Sequence, residues 1–214
     1  METEELVLGI DLGTTTVKVV AMRASDKAVV GSWSCETEAS VTSDAGSLAS
    51  EQDVTKIVRA VDACMCKIPA DMAAGITKIG VSGQMHGLVM WTRAADISDD
   101  KISSSSSLYE ALSCRFTKLS RLYTWQDGRC TTNFLSSIPT PDSHLRIATG
   151  FGCCTMFWLS RYERGCLECY RCAATVQDLL VAVLCDLEEP LMSFHNAASW
   201  GYFDPVTQHW NNDL

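Results

Sequence analysis

The residues richest in chemistry lie in Gly9-Ile10-Asp11-Leu12-Gly13-Thr14-Thr15-Thr16-Val17-Lys18. An apolar run delivers a carboxylate, Asp11, at its end. Gly13 then permits a tight turn whose backbone N–H groups can face outward as a nest for an anion. The hydroxyls of Thr14 and Thr15 add donors, and Lys18 adds a positive charge nearby. A carboxylate beside such a nest suits Mg2+, which favours carboxylate and phosphate oxygens. The residues after the turn are strand-like, so this is not the phosphate loop that caps a helix. A plain hairpin with a polar turn is the structural alternative.

Two further clusters could bind a polyol. Gly83-Gln84-Met85-His86-Gly87 brackets an amide, a thioether and an imidazole between glycines. Gln84 and His86 can each donate and accept, which suits hydroxyl groups. Trp125-Gln126-Asp127-Gly128-Arg129 sets an aromatic plane beside an amide, a carboxylate and a guanidinium. A pocket with an apolar face and a few convergent polar groups is the usual form of a small-molecule site. The alternatives are a histidine satisfied in the core and an Asp127–Arg129 surface pair beside a core tryptophan.

The elements that must position these groups read as alternating strands and helices. Leu6 to Leu12, Val17 to Met22 and Ala28 to Cys35 are short apolar runs separated by turns, which predicts a meander opening a sheet. Glu51 to Lys67 has helical spacing, with Val54, Ile57, Val58 and Val61 on one face. Ile76 to Ser82, Leu88 to Trp91, Leu122 to Trp125 and Ala197 to Phe203 read as strands. Phe157 to Tyr162 and Thr175 to Leu184 read as helices, and Cys130 to Leu135 as a helix start. Ser40 to Ser50 and the polar Arg93 to Ser107 segment, with Asp99-Asp100 and five consecutive serines, read as loops. The alternation predicts an α/β domain.

Composition narrows the partners. The chain has 214 residues, 17 Lys+Arg against 26 Asp+Glu, and a net charge of −9. Such an acidic chain has no electrostatic footprint for nucleic acid or for an anionic membrane surface. The longest pure apolar run, Leu179 to Cys185, is far short of the ~20 residues of a membrane span. The acidic start, Met1-Glu2-Thr3-Glu4-Glu5, is unlike a secretory signal. Eleven cysteines, an odd number, then predict reduced thiols in a cytoplasmic protein. Cys166, Cys169 and Cys172 share an iron–sulfur or zinc spacing, but the next cysteine, Cys185, is distant and no proline follows it. Three thiols sharing one helix face is the plainer reading.

GIDLGTTTVKVV, VSGQMHG and WQDGRC occur in this order. Together they resemble the N-terminal half of the FGGY carbohydrate kinases, especially the xylulokinase-like branch. SHLRIATGFGCCTMFWLSRY and MSFHNAASWGYFDPVTQHWN extend the resemblance, which runs from about Leu6 to Asn211 and treats 1–214 as one N-terminal domain. The resemblance implies a ribonuclease-H-like, actin-ATPase-type α/β domain with a mixed five-stranded sheet and helices on both faces. It implies ATP-dependent phosphorylation of a ketose, sedoheptulose first and xylulose as the alternative. By the same resemblance Asp11, Gly13, Thr14, Thr15 and Lys18 face the phosphates of ATP, with Asp11 acting on Mg2+ through water. Gln84, Met85, His86, Trp125 and Asp127 would line the sugar site. The catalytic base, an Asp, would lie beyond Leu214, with a second lobe that holds adenosine. The chain alone is therefore expected to be inactive, and a non-catalytic sugar-binding half is the rival reading. Thr155 and Ser193 stand where family members often carry Lys and Asp, which touches pocket detail only.

Overall fold

The structure, a computed structural model, describes residues 4–95, 107–142 and 146–211. The strands are β1 (Leu6–Leu12), β2 (Thr16–Arg23), β3 (Val29–Glu36), β4 (Ser40–Val41), β5 (Glu51–Gln52) and β6 (Ile76–Gly83). They continue as β7 (Val89–Arg93), β8 (Phe116–Leu119), β9 (Leu122–Tyr123), β10 (Cys172–Ala174), β11 (Phe203–Asp204) and β12 (His209–Trp210). The helices are α1 (Val54–Met65), α2 (Ala70–Ala73), α3 (Leu108–Arg115), α4 (Thr132–Leu135), α5 (Gly152–Tyr162), α6 (Val176–Leu184) and α7 (Phe194–Ala198). Asp99-Asp100, most of the serine run, Ser143 to Leu145 and Leu214 lie outside the described residues.

β1 is buried at every second residue, Leu6, Leu8, Ile10 and Leu12, while Asp11 is exposed. That is the period of a strand with one covered face. β1 pairs antiparallel with β2 and parallel with β6, and β3 completes the order β3-β2-β1-β6. α1 covers this sheet with Val54, Ile57, Val58 and Val61, the face the spacing predicts. Its first turn is capped by Asp53, whose Oδ1 accepts from Thr55 N at 2.8 Å. α6 adds Val176, Leu179, Leu180 and Val183 to the same core. Each such side chain stabilises the fold by about 1.5–3 kcal/mol relative to exposure.

The α/β class is as expected, but the layout differs in two ways. The main sheet has four strands rather than five among the described residues, and α1 and α6 pack on the same face. On the other face Gly9, Asp11, Lys18, Val20, Gly80 and Ser82 line an open depression of about 480 Å³. Between β6 and β7, His86 sits in the left-handed region (φ 68°), uncommon for a non-glycine residue. β7 belongs to a second sheet, β10-β7-β8, while β4-β5-β9 forms a third and β11-β12 a hairpin.

Two other expectations fail locally. Ala197 to Phe203 does not form one strand: Ser193 caps α7 by accepting from Asn196 N at 3.2 Å, and only Phe203–Asp204 is extended. Cys166, Cys169 and Cys172 do not share a helix face, because a 3-10 turn over Leu167–Cys169 gives way to β10 at Cys172. Among the described residues no group of three or more His, Cys, Asp or Glu is placed to hold a metal ion. No described helix is long and apolar enough to cross a membrane.

Candidate functional site

The turn between β1 and β2 is held from behind. Gly13 N donates to Thr16 O at 3.1 Å, and a Cβ on Gly13 would lie 2.7 Å from that oxygen, so the closure needs glycine. The Thr15 carbonyl accepts from Thr37 N at 2.8 Å. The Thr14 carbonyl accepts from Gln52 Nε2 at 2.6 Å. With both carbonyls drawn inward, the N–H groups of Thr14 and Thr15 have no partner among the described residues, as an anion nest requires. Asp11 ends β1 on the open face, where its Oδ1 accepts from Ser82 Oγ at 3.2 Å. Lys18 is its cross-strand partner and lines the same depression. One exposed carboxylate beside free N–H donors fits a Mg2+ ion held through water and phosphate oxygens. The absence of a clustered ligand set among the described residues does not fit a caged ion.

Gln84 begins where β6 ends, with its N–H on Leu12 O at 2.9 Å. Its side chain is buried, and its Nε2 donates to Gln52 Oε1 at 3.0 Å. Its Oε1 is shielded from water and accepts from nothing among the described residues. An orphaned buried acceptor costs about 1–3 kcal/mol, which a ligand hydroxyl would relieve. His86 stacks flat on Phe151, with ring centroids 4.4 Å apart, and its Nδ1 donates to Ser199 O at 2.8 Å. A carbonyl can only accept, so the hydrogen sits on Nδ1, and Nε2 of the neutral ring is left as an acceptor. Met85 is exposed beside them.

Trp125 is 46% exposed rather than a core residue, and its Nε1 donates to Thr14 Oγ1 at 3.1 Å. This bond joins the aromatic wall to the turn. Gly150, at φ 78°, lets the chain pass against the Trp125 carbonyl. Asp127 does not line the pocket. It is fully buried and grips Arg129 through Nε (2.8 Å) and NH2 (2.9 Å), and it also accepts from Ser50 N (2.9 Å). Arg129 also reaches Glu51 at 2.6 Å, and Glu51 reaches Arg121 at 3.0 Å. Burial pushes the Glu51 carboxyl up, but its bonds from Arg129, Arg121 and Ser43 outweigh this and hold it below the usual range. Burial likewise opposes the Arg129 charge, and Asp127 and Glu51 more than offset it. The pair is structural, and the tryptophan is the exposed member.

The arrangement thus places an orphan amide oxygen, an imidazole and an aromatic face beside an anion nest and a carboxylate. That is the chemistry of an acceptor hydroxyl held next to a polyphosphate. The family model for the N-terminal domain of the FGGY carbohydrate kinases matches residues 6–214. The chain belongs to the FGGY family of carbohydrate kinases. Sedoheptulokinase of Mus musculus is 44% identical over 100% of this chain and 45% of its own length. Sedoheptulokinase of Homo sapiens is 44% identical over 99% and 45%. This FGGY chain therefore spans 45% of the length of those relatives. The crystal structure of ligand-bound xylulose kinase from Lactobacillus acidophilus superposes with a TM-score of 0.70 at 18% identity, covering 98% of this chain and 39% of that one. Glycerol kinase from Plasmodium falciparum with ADP gives 0.72 at 15%, covering 98% and 40%. At these identities the likeness shows the fold, the actin-ATPase-type architecture of FGGY kinases.

Three participants of the FGGY site escaped sequence reasoning. Glu51 and Gln52 fall inside the segment whose spacing predicts a helix, yet they form β5, where Gln52 backs the turn and Gln84 while Glu51 anchors Arg129 and Arg121. Phe151 lies in a segment that carried only the resemblance. An amide or acid next to an N-cap aspartate is a weak signal, and nothing in the sequence marks its long-range partners.

Proposed function

We propose that this chain is the sugar-binding and phosphate-facing portion of a ketose kinase that transfers the terminal phosphoryl group of Mg2+–ATP to sedoheptulose. The bond from Trp125 to Thr14 carries the reading, because it fastens the wall of the polyol pocket to the turn that would hold phosphate. Phosphoryl transfer is mostly positioning and charge stabilisation, so a shared scaffold for hydroxyl and phosphate is what it needs. The sedoheptulokinase relatives support the sugar, and its terminal, seventh hydroxyl is the proposed acceptor.

In this reading the N–H groups of Thr14 and Thr15, with their hydroxyls, bind phosphate oxygens at the Gly13 turn. Lys18 adds charge from the same face, and Asp11 orients water around Mg2+, which supplies charge neutralisation at the phosphates when bound. Gln84 Oε1 and His86 accept from sugar hydroxyls, and Trp125 and Met85 pack against carbon. Neither carboxylate singled out at the site is free to act as base at the sugar: Asp127 is locked to Arg129, and Asp11 serves the phosphate side. The chain alone therefore binds without transferring. The test is ADP release from Mg2+–ATP with sedoheptulose or xylulose, beside calorimetric titration of each sugar. Sedoheptulose binding without ADP release is expected. Xylulose binding more tightly would change the substrate, and release by the chain alone would place a base within it.

A further inference from the structure

We propose that Gln52 is a positioning residue that sets the polarity of both subsites from behind. The proposal rests on the sugar and phosphate reading of the site. The Thr14 carbonyl can only accept, so the group that Gln52 turns to it is Nε2, at 2.6 Å. Gln52 Oε1 is thereby left facing Gln84. An amide oxygen also only accepts, so Gln84 must turn its own Nε2 inward, at 3.0 Å. Gln84 Oε1 is what remains, and it is the orphan.

This one side chain acts at two places. A ligand group that meets Gln84 must be a donor, so the pocket selects a hydroxyl at that position and refuses a keto oxygen. At the other end, the peptide between Thr14 and Thr15 is trans and planar, so its N–H points opposite its C=O. The bond that draws the Thr14 carbonyl inward therefore aims Thr15 N–H outward, towards the anion. Gln52 is 2% exposed and touches neither ligand. Its neighbour Glu51 works the other way, anchoring Arg129 and Arg121.

The test uses the 214-residue chain with sedoheptulose and Mg2+–ATP as separate probes in calorimetric titrations. Gln52→Met keeps length and removes both polar atoms. Gln52→His keeps one donor and one acceptor in the neutral ring. Gln52→Met should weaken both probes by about 3- to 10-fold, the effect of one lost hydrogen bond at each site, and Gln52→His should recover most of it. A merely structural residue would not be rescued by an imidazole. In NMR of the unliganded wild type, the Gln84 side-chain amide protons should exchange slowly. Unchanged affinity for either probe in Gln52→Met overturns the proposal, as do Gln84 amide protons that exchange like those of an exposed glutamine. If Gln52→Met does not fold, Gln52→His decides: retained affinity for both probes supports the relay, and loss of both overturns it. A wild type that binds neither probe sinks the functional reading, and Gln84 amide exchange then decides the relay alone.

Discussion

Asp127 and Arg129 face each other with neither side chain open to water, and Glu51 accepts a further bond from Arg129 NH2, while Arg129 NH1 has no hydrogen-bond partner among the described residues. Removing one member of such a pair leaves a buried charge without compensation. Asp127→Asn should therefore cost about 3–5 kcal/mol in urea denaturation. Two carboxyls should pull the pH profile in opposite directions. Glu51 titrates below its ordinary value when folded, so the stability it confers at neutral pH is lost as pH falls through that lowered value. Burial raises Asp178, with bonds from Thr175 and Asn196 only partly opposing it. Its contribution falls as pH rises from the ordinary aspartate value through the raised one. Melting temperatures between pH 3 and 7 should lose acid sensitivity in Glu51→Gln, while Asp178→Asn should remove the opposing slope. The pairing of Asp127 with Arg129 was legible from their spacing. Its burial was not, because that is decided by Glu51, which lies far away in sequence.

The β1–β2 hairpin and α1 were legible because period 2 and period 3.6 are written in their apolar residues. β4, β5 and β9 were not, since two-residue strands have no period and pair over long sequence separations. Hence Gln52, the centre of the relay, was hidden inside an apparent helix. The turn that the relay supports makes a demand of its own. Gly13→Ala would push a Cβ into the Thr16 carbonyl, a backbone atom that cannot swing aside. An overpacking cost of about 1–3 kcal/mol is expected, together with weaker Mg2+–ATP binding in calorimetry. Equal ATP affinity in a destabilised variant would separate the turn from the nucleotide.

Across the whole molecule the class was legible and the layer arrangement was not. Alternating strands and helices announce an α/β domain, but which sheet face is covered depends on the long-range packing of α1 and α6 against β1, which no local pattern encodes. The cysteines give a global check on packing. All those described are free, with Cys66, Cys114, Cys169 and Cys185 exposed. Burial pushes the thiols of Cys130, Cys153 and Cys154 up to about 12, with neighbouring thiols adding to the effect at Cys130 and Cys154. Since the thiolate is the nucleophile, iodoacetamide at pH 8 should alkylate the exposed four quickly and spare these three until denaturant is added. Mass spectrometry of the labelled peptides checks this, and early alkylation of Cys154 would refute the packing around α5.

Trp125 keeps nearly half its ring in water while its N–H rests on Thr14. Indole emission responds to solvent polarity and to the N–H bond, so this residue is a fluorophore wired to a turn it does not belong to. Subtracting the Trp125→Phe spectrum isolates it from the other five tryptophans. Its colour should shift with Mg2+–ATP as well as with sugar, giving one optical signal for two ligands.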